Sequence, residues 1–179
     1  MSDTEVMASG PADERAGDGD RCLTPAMRQE IEQLCRKYPR KQAVTLPALH
    51  LVHEKLRHVP RRAVVEIAEL LELSPAEVQD TLSFYGFFKQ DAPHGDCRVW
   101  VCRSISCALR GGEEVFRHFC RRAQVEPGQT TADGSLTIEV AECLGACEQA
   151  PCMLAGNELI GDLTEAAIDR FLKQREADS

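Results

Sequence analysis

Two pairs of cysteines are the residues of this sequence best placed to do chemistry. Cys102 and Cys107 lie in the stretch VCRSISCALRGG, and Cys143 and Cys147 lie in ECLGACEQAPC. Close pairs of this kind are typical of three sites: a disulfide framework, a zinc site and an iron–sulfur cluster. The rest of the sequence has to decide among them.

The composition argues against the disulfide framework. The chain of 179 residues has nine cysteines, an odd number, and its N-terminus lacks the apolar core of an export signal. The cytosol keeps thiols reduced, so metal ligation is the better interpretation. The net charge of −8 and the pI of about 5.2 argue against a general affinity for nucleic acid or for anionic membranes. No apolar run reaches the roughly 20 residues that a membrane helix needs, so direct membrane insertion is not expected.

The region before the cysteine pairs divides into a tail and a helical segment. Residues 1–21 are acidic and almost without large apolar side chains, which predicts a disordered tail. Residues 22–90 show helical periodicity and predict a small bundle of four helices, with inward positions that include Tyr38, Val78, Leu82 and Tyr85. The predicted helices cover about 25–38, 46–58, 61–73 and the segment that starts after Ser74.

Two of these helices have clear start signals. Thr24 followed by Pro25 predicts a capped first turn. The stretch SPAE, from Ser74 to Glu77, has the residues of a capping box. The last two helices of the bundle also resemble a helix-turn-helix. The second of these two helices carries Glu77 and Asp80 and has no basic residue before Lys89, so binding to DNA phosphates is disfavoured.

Residues 91–179 have a different pattern, which begins after the polar linker KQDAPHGD. The pattern predicts strands at 97–102 and 136–141, with Leu136, Ile138 and Val140 inward, and a hairpin at 152–161 that turns at Gly156. Helices are predicted at 112–124 and after Thr164. This order of elements is that of a thioredoxin-like α/β domain, so the predicted fold class is α+β, a helical bundle followed by that domain.

The predicted fold brings the two cysteine pairs together. Strands joined by a crossover helix run parallel, so the loops that carry both pairs follow the same edge of the sheet. Four and three residues separate the cysteines within the pairs, and 35 residues separate the pairs. Zinc sites usually have closer pairs, whereas a 2Fe–2S cluster is larger and suits longer loops. The spacing favours the cluster and leaves zinc open.

The stretches CRSISCALRGGEEVF and TTADGSLTIEVAECLGACEQAP, with SFYGFF and PHG before them, resemble the family of thioredoxin-like 2Fe–2S subunits of NADH:quinone oxidoreductase, respiratory complex I. Related subunits occur in NAD-linked hydrogenases and formate dehydrogenases. The resemblance implies that Cys102, Cys107, Cys143 and Cys147 ligate a 2Fe–2S cluster. It implies one-electron exchange with a flavoprotein subunit that binds FMN and NADH, in a cytoplasmic bacterial complex peripheral to the inner membrane. The alternative hosts are a hydrogenase or formate dehydrogenase, and the alternative role is a zinc-stabilised adaptor.

Several further residues bear on this hypothesis. The chain departs from the usual family pattern at RHVPRR and at Cys152, the only further thiol expected near the metal, which is interpreted as a buried strand residue. Gly145 is expected at positive φ, with backbone N–H groups directed at sulfur. Cys35 and Cys120 are interpreted as small core residues. The sequence has no GxGxxG or other phosphate-binding loop, so no NAD or flavin site of its own is expected. The surplus aromatic residues predict a docking face: Phe84, Tyr85, Phe87 and Phe88.

Overall fold

The computed structural model of the chain describes residues 21–177. The predicted tail, residues 1–21, therefore lies outside the described residues except for Arg21. The described chain divides into two compact units. The first contains the residues up to Val52 together with Val59–Gly86, and the second contains His53–His58 and the chain from Phe87 onward. The boundaries predicted from the sequence, at 22–90 and 91–179, stay a prediction.

The first unit is helical. Its elements are α1 (Pro25–Cys35), a short 3-10 helix (Lys41–Val44), α2 (Thr45–Leu56, whose last four residues belong to the second unit), α3 (Arg61–Leu71) and α4 (Pro75–Phe84). Both predicted start signals are confirmed. The Thr24 hydroxyl accepts a hydrogen bond from the Met27 N–H at 3.3 Å, and Ser74 and Glu77 form the reciprocal capping box.

The core of the first unit consists of one apolar stripe from each helix. The largest fully buried side chains include Ile31, Leu49, Ile67, Leu71 and Leu82. Two inward predictions are wrong, because Tyr38 and Tyr85 are 40% and 41% exposed. Each follows the last helical residue, where the backbone leaves the helical path and the periodicity of the stripe no longer applies.

The second unit contains the sheet. Its elements are β1 (Cys97–Cys102), α5 (Ile105–Leu109), α6 (Gly112–Ala123), β2 (Leu136–Ala141), a 3-10 turn (Cys147–Gln149), β3 (Met153–Ala155), β4 (Glu158–Ile160) and α7 (Glu165–Ala177). Both long strands have their predicted bounds. Thr164 caps α7, since its hydroxyl accepts from the Ala167 N–H at 3.1 Å. The α+β fold class is confirmed.

The strand order in the sheet is β2-β1-β3-β4. β1 and β2 run parallel, with Cys97 opposite Leu136 and Cys102 opposite Ala141. β3 runs antiparallel to β1, with Val101 opposite Met153, and β4 completes the hairpin. β1 is therefore an inner strand with a neighbour on each side, whereas β2 is at the edge of the sheet.

The sheet packs against helices α6 and α7. Val99, Ile138, Met153, Phe119 and Ile168 are fully buried in this core. The predicted inward orientation of Val140 is wrong, because this side chain is 42% exposed. The cause is its place near the end of an edge strand, which no neighbouring strand covers on its outer side.

A charged network links β1 to β2 on the side of the sheet that carries Trp100. The Glu139 carboxylate accepts hydrogen bonds from Lys89 Nζ at 2.8 Å, Arg98 Nε at 2.5 Å and Trp100 Nε1 at 2.8 Å. The Arg98 guanidinium also lies 4.7 Å from the centre of the Trp100 ring. Burial raises the pKa of Glu139, but the hydrogen bonds from Lys89, Arg98 and Trp100 lower it by more, so the carboxylate stays charged.

Candidate metal centre

The first cysteine pair is buried, although the loop that carries it also has exposed side chains. Cys102 is the last residue of β1, and Cys107 lies in the middle of α5; their side chains are 3% and 1% exposed. A Cβ atom at Gly112 would come within 2.7 Å of the Cys107 carbonyl oxygen, so glycine is needed where α6 starts against this loop. The helix α5 was missed by the sequence analysis, because five residues are too few to show helical periodicity.

The second cysteine pair lies in the loop that follows β2, and both side chains are exposed. Gly145 has the predicted positive φ, at +75°, a conformation that favours glycine. Its backbone N–H donates to Cys143 Sγ at 3.4 Å, as expected from the sequence. The loop backbone thus positions at least one sulfur of this pair.

Direct contacts join the two loops. The Cys102 thiol donates to the Glu142 carbonyl oxygen at 3.4 Å, and the Arg103 N–H donates to the Ala141 carbonyl at 2.9 Å. Arg103 and Glu142 also form an exposed ion pair. Cys102, which ends β1, and Cys143, which follows β2, therefore lie at the same edge of the sheet, as the parallel arrangement predicts.

A third buried thiol lies beside the first pair. Cys152 continues the antiparallel register of β1 and β3, and its carbonyl accepts a hydrogen bond from the Cys102 N–H at 3.0 Å. Its Sγ lies 3.8 Å from Cys107 Sγ. The Sγ atoms of Cys102, Cys107 and Cys152 all lie within 4.8 Å of one another. The sequence predicted that Cys152 is buried, and the 1% exposure of its side chain confirms it.

The surroundings of these three thiols shift their pKa values in different directions. Burial raises the pKa of Cys102, but hydrogen bonds from the backbone N–H groups of Ser104 and Leu144 lower it by more, so the net pKa lies below the ordinary thiol value. Burial, followed by the neighbouring Cys102 thiol, raises the pKa of Cys107. Burial and the other two thiols raise the pKa of Cys152 to about 12. Cys102 is thus the most readily ionised of the three.

A family model described as thioredoxin-like 2Fe-2S ferredoxin matches residues 31–176. The chain belongs to this family of ferredoxins. Its cofactor is accordingly a 2Fe–2S cluster, which confirms the cofactor predicted from the cysteine spacing and the resemblance. No helix within residues 21–177 of this ferredoxin has the length and apolar character needed to cross a bilayer.

The relatives of this ferredoxin are subunits of redox complexes. A subunit of the NADH-quinone oxidoreductase of Rhizobium meliloti is 34% identical, over 82% of this chain and 87% of that protein. NADH-quinone oxidoreductase subunit 2 of Thermus thermophilus is 31% identical, over 79% and 80%. These relatives confirm the predicted resemblance.

Similarity also extends to solved structures. A crystal structure of NAD+-reducing NiFe-hydrogenase in the H2-reduced state matches 75% of this chain with a TM-score of 0.65 and 27% identity. The chain spans only about a fifth of that hydrogenase chain, 22% of its length.

The thiols fit the cofactor of a 2Fe–2S ferredoxin. Thiolates are its usual ligands, and this edge of the sheet offers the first pair, the second pair and N–H groups directed at sulfur. The remaining cysteines lie in other places: Cys120 and Cys97 are buried in the core of the second unit, and Cys22 and Cys35 are half-buried in the first. Cys120 is a core residue as predicted, while Cys35 is only partly covered.

Proposed function

We propose that this chain is the electron-transfer subunit of an NADH-oxidising complex of the NADH-quinone oxidoreductase type. Cys102, Cys107, Cys143 and Cys147 are its cluster ligands in this proposal. The observation that carries it is the parallel register of β1 and β2, with Cys102 opposite Ala141, which brings the loops of both pairs to one edge of the sheet. The names of the relatives support the same function.

The four thiols have unequal tasks in this proposal. A 2Fe–2S cluster takes up and releases one electron at a time, with two thiolates on each iron. Cys102 and Cys107 hold their part of the site in a small buried cluster that also contains Ala146 and Ala150. The N–H groups of Ser104 and Leu144 at Cys102, and of Gly145 at Cys143, stabilise negative charge on sulfur. The exposed second pair leaves a short path to a redox partner.

The proposed partner is a flavoprotein subunit that binds NADH and FMN. Apolar side chains lie exposed beside the first pair, since Ile105 and Leu109 on α5 are 75% and 83% exposed. Exposed aliphatic side chains next to a redox site suit a docking partner that excludes water from the electron path. The proposed location is the cytoplasmic side of a bacterial inner membrane, on the peripheral part of the complex.

Not all four aromatic residues of the predicted docking face are equally accessible to a partner. Phe88 is 5% exposed, and Phe87, although 38% exposed, holds its ring against Trp100 with 5.5 Å between ring centres. Phe84 is 79% exposed and Tyr85 is 41% exposed, and their rings lie 5.0 Å apart. We propose that Phe84 and Tyr85 are the aromatic residues available to the flavoprotein. Replacing both with Ser should weaken co-purification of that subunit and leave the visible spectrum of the cluster unchanged.

Metal analysis tests the proposed cofactor site. We expect about two irons and two sulfides per chain, a brown colour in the oxidised state, and an EPR signal only after reduction by one electron. Cys143→Ser should strongly deplete the cluster, because a hard hydroxyl replaces a soft thiolate. Cys35→Ser is the matched control and should keep the wild-type spectrum. A colourless protein with one zinc, isolated under conditions that preserve clusters, would refute the proposal.

Two similarities support a second host complex. The structural similarity to an NAD+-reducing hydrogenase covers 75% of the chain, and a subunit of an NADP-reducing hydrogenase of Solidesulfovibrio fructosivorans is 26% identical. The alternative is therefore an electron-transfer role in an NAD(P)-linked hydrogenase. Affinity purification of the chain from native membranes and cytosol distinguishes the two hosts. Quinone oxidoreductase subunits would co-purify with the chain if the host is an NADH-quinone oxidoreductase, and a hydrogenase subunit would co-purify if the host is a hydrogenase.

A further inference from the structure

Three buried thiols form a compact group that shares two members with the proposed cluster ligands and adds a third thiol, that of Cys152. Cys102, Cys107 and Cys152 have Sγ atoms within 4.8 Å of one another, whereas Cys143 and Cys147 are exposed and lie outside this group. The three side chains are 3%, 1% and 1% exposed. Cys152 has no task in the proposed cluster, yet the sheet register places it directly across from Cys102.

The spacing within this group suits a single metal ion. In a tetrahedral thiolate site with metal–sulfur bonds of about 2.3 Å, two sulfurs on the same ion lie roughly 3.8 Å apart. Cys107 Sγ and Cys152 Sγ are 3.8 Å apart. Cys102 Sγ lies within 4.8 Å of both, so a small rotation of its side chain completes a three-sulfur face. Ala146 and Ala150 line the same pocket and leave thiolates as its main donors.

We propose that Cys102, Cys107 and Cys152 form a second metal site, which binds one soft cation of the zinc class when the chain carries no cluster. The cation replaces the thiol protons, which pass to solvent, and water completes its fourth coordination position. Thiolates prefer soft cations, so we expect this site not to bind magnesium or calcium ions. The site needs neither Cys143 nor Cys147.

The two sites exclude each other, a consequence that rests on the proposed cluster ligands. Both use Cys102 and Cys107, so a chain that holds the cation has no free first pair for iron. The cation therefore keeps the buried thiols ligated in the cluster-free chain, and it has to leave before the cluster is assembled. Cys152 is the residue that makes this competition possible.

Metal titration of the full-length, cluster-free chain tests the site. Co2+ is the spectroscopic probe, because its absorption reports tetrahedral geometry and bound thiolates, and Zn2+ affinity is measured by competition with a chelator. We expect one ion per chain and tetrahedral Co2+ bands. Cys152→Ser should weaken Zn2+ binding by at least the roughly 10- to 100-fold that loss of an outer-shell partner costs. Cys152→Ala, which adds no buried hydroxyl, should give the same loss if the sulfur itself is the ligand.

Matched variants separate this site from the cluster. Cys143→Ser should retain the Zn2+ affinity and the Co2+ spectrum of the wild type while it loses the cluster, and Cys35→Ser should retain both. If Cys143→Ser weakened Zn2+ binding as much as Cys152→Ser, the cation would use the cluster ligands and the proposal would be wrong. Unchanged Zn2+ affinity in both Cys152 variants would also overturn it, leaving Cys152 as a packing residue.

Cluster assembly in the presence of zinc tests the competition. Iron, sulfide and a thiol reductant are added to the wild-type chain with and without one equivalent of Zn2+. We expect zinc to slow assembly in the wild type and to have much less effect in Cys152→Ser. Equal inhibition in both proteins would contradict the exclusion. The reaction without zinc measures cluster assembly alone. If no cluster forms in that reaction, the proposed electron-transfer function is wrong, whatever the outcome for the second metal site.

Discussion

The two loops that carry the cysteine pairs are built in different ways. The first loop, after β1, contains the short helix α5 and buries both of its thiols. The second loop, after β2, exposes both of its thiols and relies on Gly145 to direct an N–H group at Cys143. One half of the proposed ligand set is therefore fixed by packing, and the other half is held mainly by the local backbone.

The strand order explains this difference. β1 is an inner strand, so the chain that enters β3 passes beside its carboxyl end and covers the first loop with Cys152. β2 is an edge strand and has a neighbour on one side only. Position in the sheet, rather than the sequence around each pair, sets the burial of the ligands. Five measurements test this interpretation, starting with the largest expected effect.

Thiol labelling gives the most direct test. In the metal-free chain, we expect iodoacetamide to modify Cys143 and Cys147 on the order of 100-fold faster than Cys102, Cys107 and Cys152, because burial limits access of the reagent. The pKa of about 12 at Cys152 reduces its thiolate fraction further. Peptide mapping by mass spectrometry measures each rate. Similar rates at all five positions would show that the first loop opens as readily as the second.

Replacement of Glu139 tests the framework that both loops share. Glu139→Gln leaves Lys89 and Arg98 without their carboxylate, and we expect a loss of about 2 kcal/mol in the free energy of unfolding. This is less than for a fully buried pair, because the Lys89 and Arg98 side chains are 25% and 10% exposed. Glu142→Gln is the control and should cause no measurable loss, since its ion pair with Arg103 is exposed. Urea unfolding of the cluster-free proteins measures both.

The contribution of Glu139 to the free energy of unfolding should decrease as the pH falls into the acid range. Its pKa is lower in the folded chain than the ordinary value of 4.5, so its stabilising effect is complete above that value. The effect is lost as the pH falls through the ordinary value towards the lower folded-state value. The stability difference between the wild type and Glu139→Gln should therefore shrink in that window. A difference that stays constant from neutral pH to the acid range would contradict the assignment.

Serine variants of the two pairs compare packing at each loop. Cys107→Ser places a hydroxyl in a buried apolar pocket, and we expect it to lower the free energy of unfolding of the cluster-free chain by about 1–2 kcal/mol. Cys143→Ser is exposed and should change it by no more than about 0.5 kcal/mol. Both variants should lose the cluster. Equal stability of the two cluster-free variants would remove the distinction between the loops.

Replacement of Gly145 gives the smallest expected effect. The position has open space for a Cβ atom, so Gly145→Ala adds backbone strain alone, about 1 kcal/mol. Gly156→Ala, at φ +59° in the hairpin turn with similar open space, is the matched control for that strain. Only Gly145→Ala should also slow cluster assembly, which visible absorption measures. If both variants assembled the cluster at the wild-type rate, the loop backbone would not be needed to position Cys143.

The sequence predicted local structure more completely than it predicted neighbours. The capping box at Ser74 and both long strands were predicted because their signals lie within a few consecutive residues. The exposure of Val140 was missed, because it depends on which strand is at the edge of the sheet. The sequence singled out Cys152 as the further thiol near the metal, but its direct contact with Cys107 was not predicted, for a similar reason. It follows from the pairing of β3 with β1, which brings together residues 45 positions apart.

Of the proposed site, the sequence predicted the shared edge of the sheet and the positive φ of Gly145. The first follows from parallel pairing and the second from the short spacing of Cys143 and Cys147. The unequal burial of the two pairs was not predictable from their spacing, since thiols separated by three or four residues occur in both covered and open loops. The assignment of the four ligands stays a prediction until the serine variants are measured.

The parallel pairing of β1 with β2 also has a consequence for the order of events during synthesis. Cys147 lies 40 positions after Cys107, and a ribosome that adds 5–20 residues per second takes roughly 2–8 seconds to cover that distance. Until Cys147 is made, the nascent chain lacks the complete second pair, and β1 has β2 as its only possible sheet neighbour, because β3 is translated later. The last strand to reach β1 carries the hairpin from Met153 onward, so the covered pocket closes only after every cysteine has been translated. The complete set of proposed ligands is therefore available to iron and sulfide only after Cys147 has been translated.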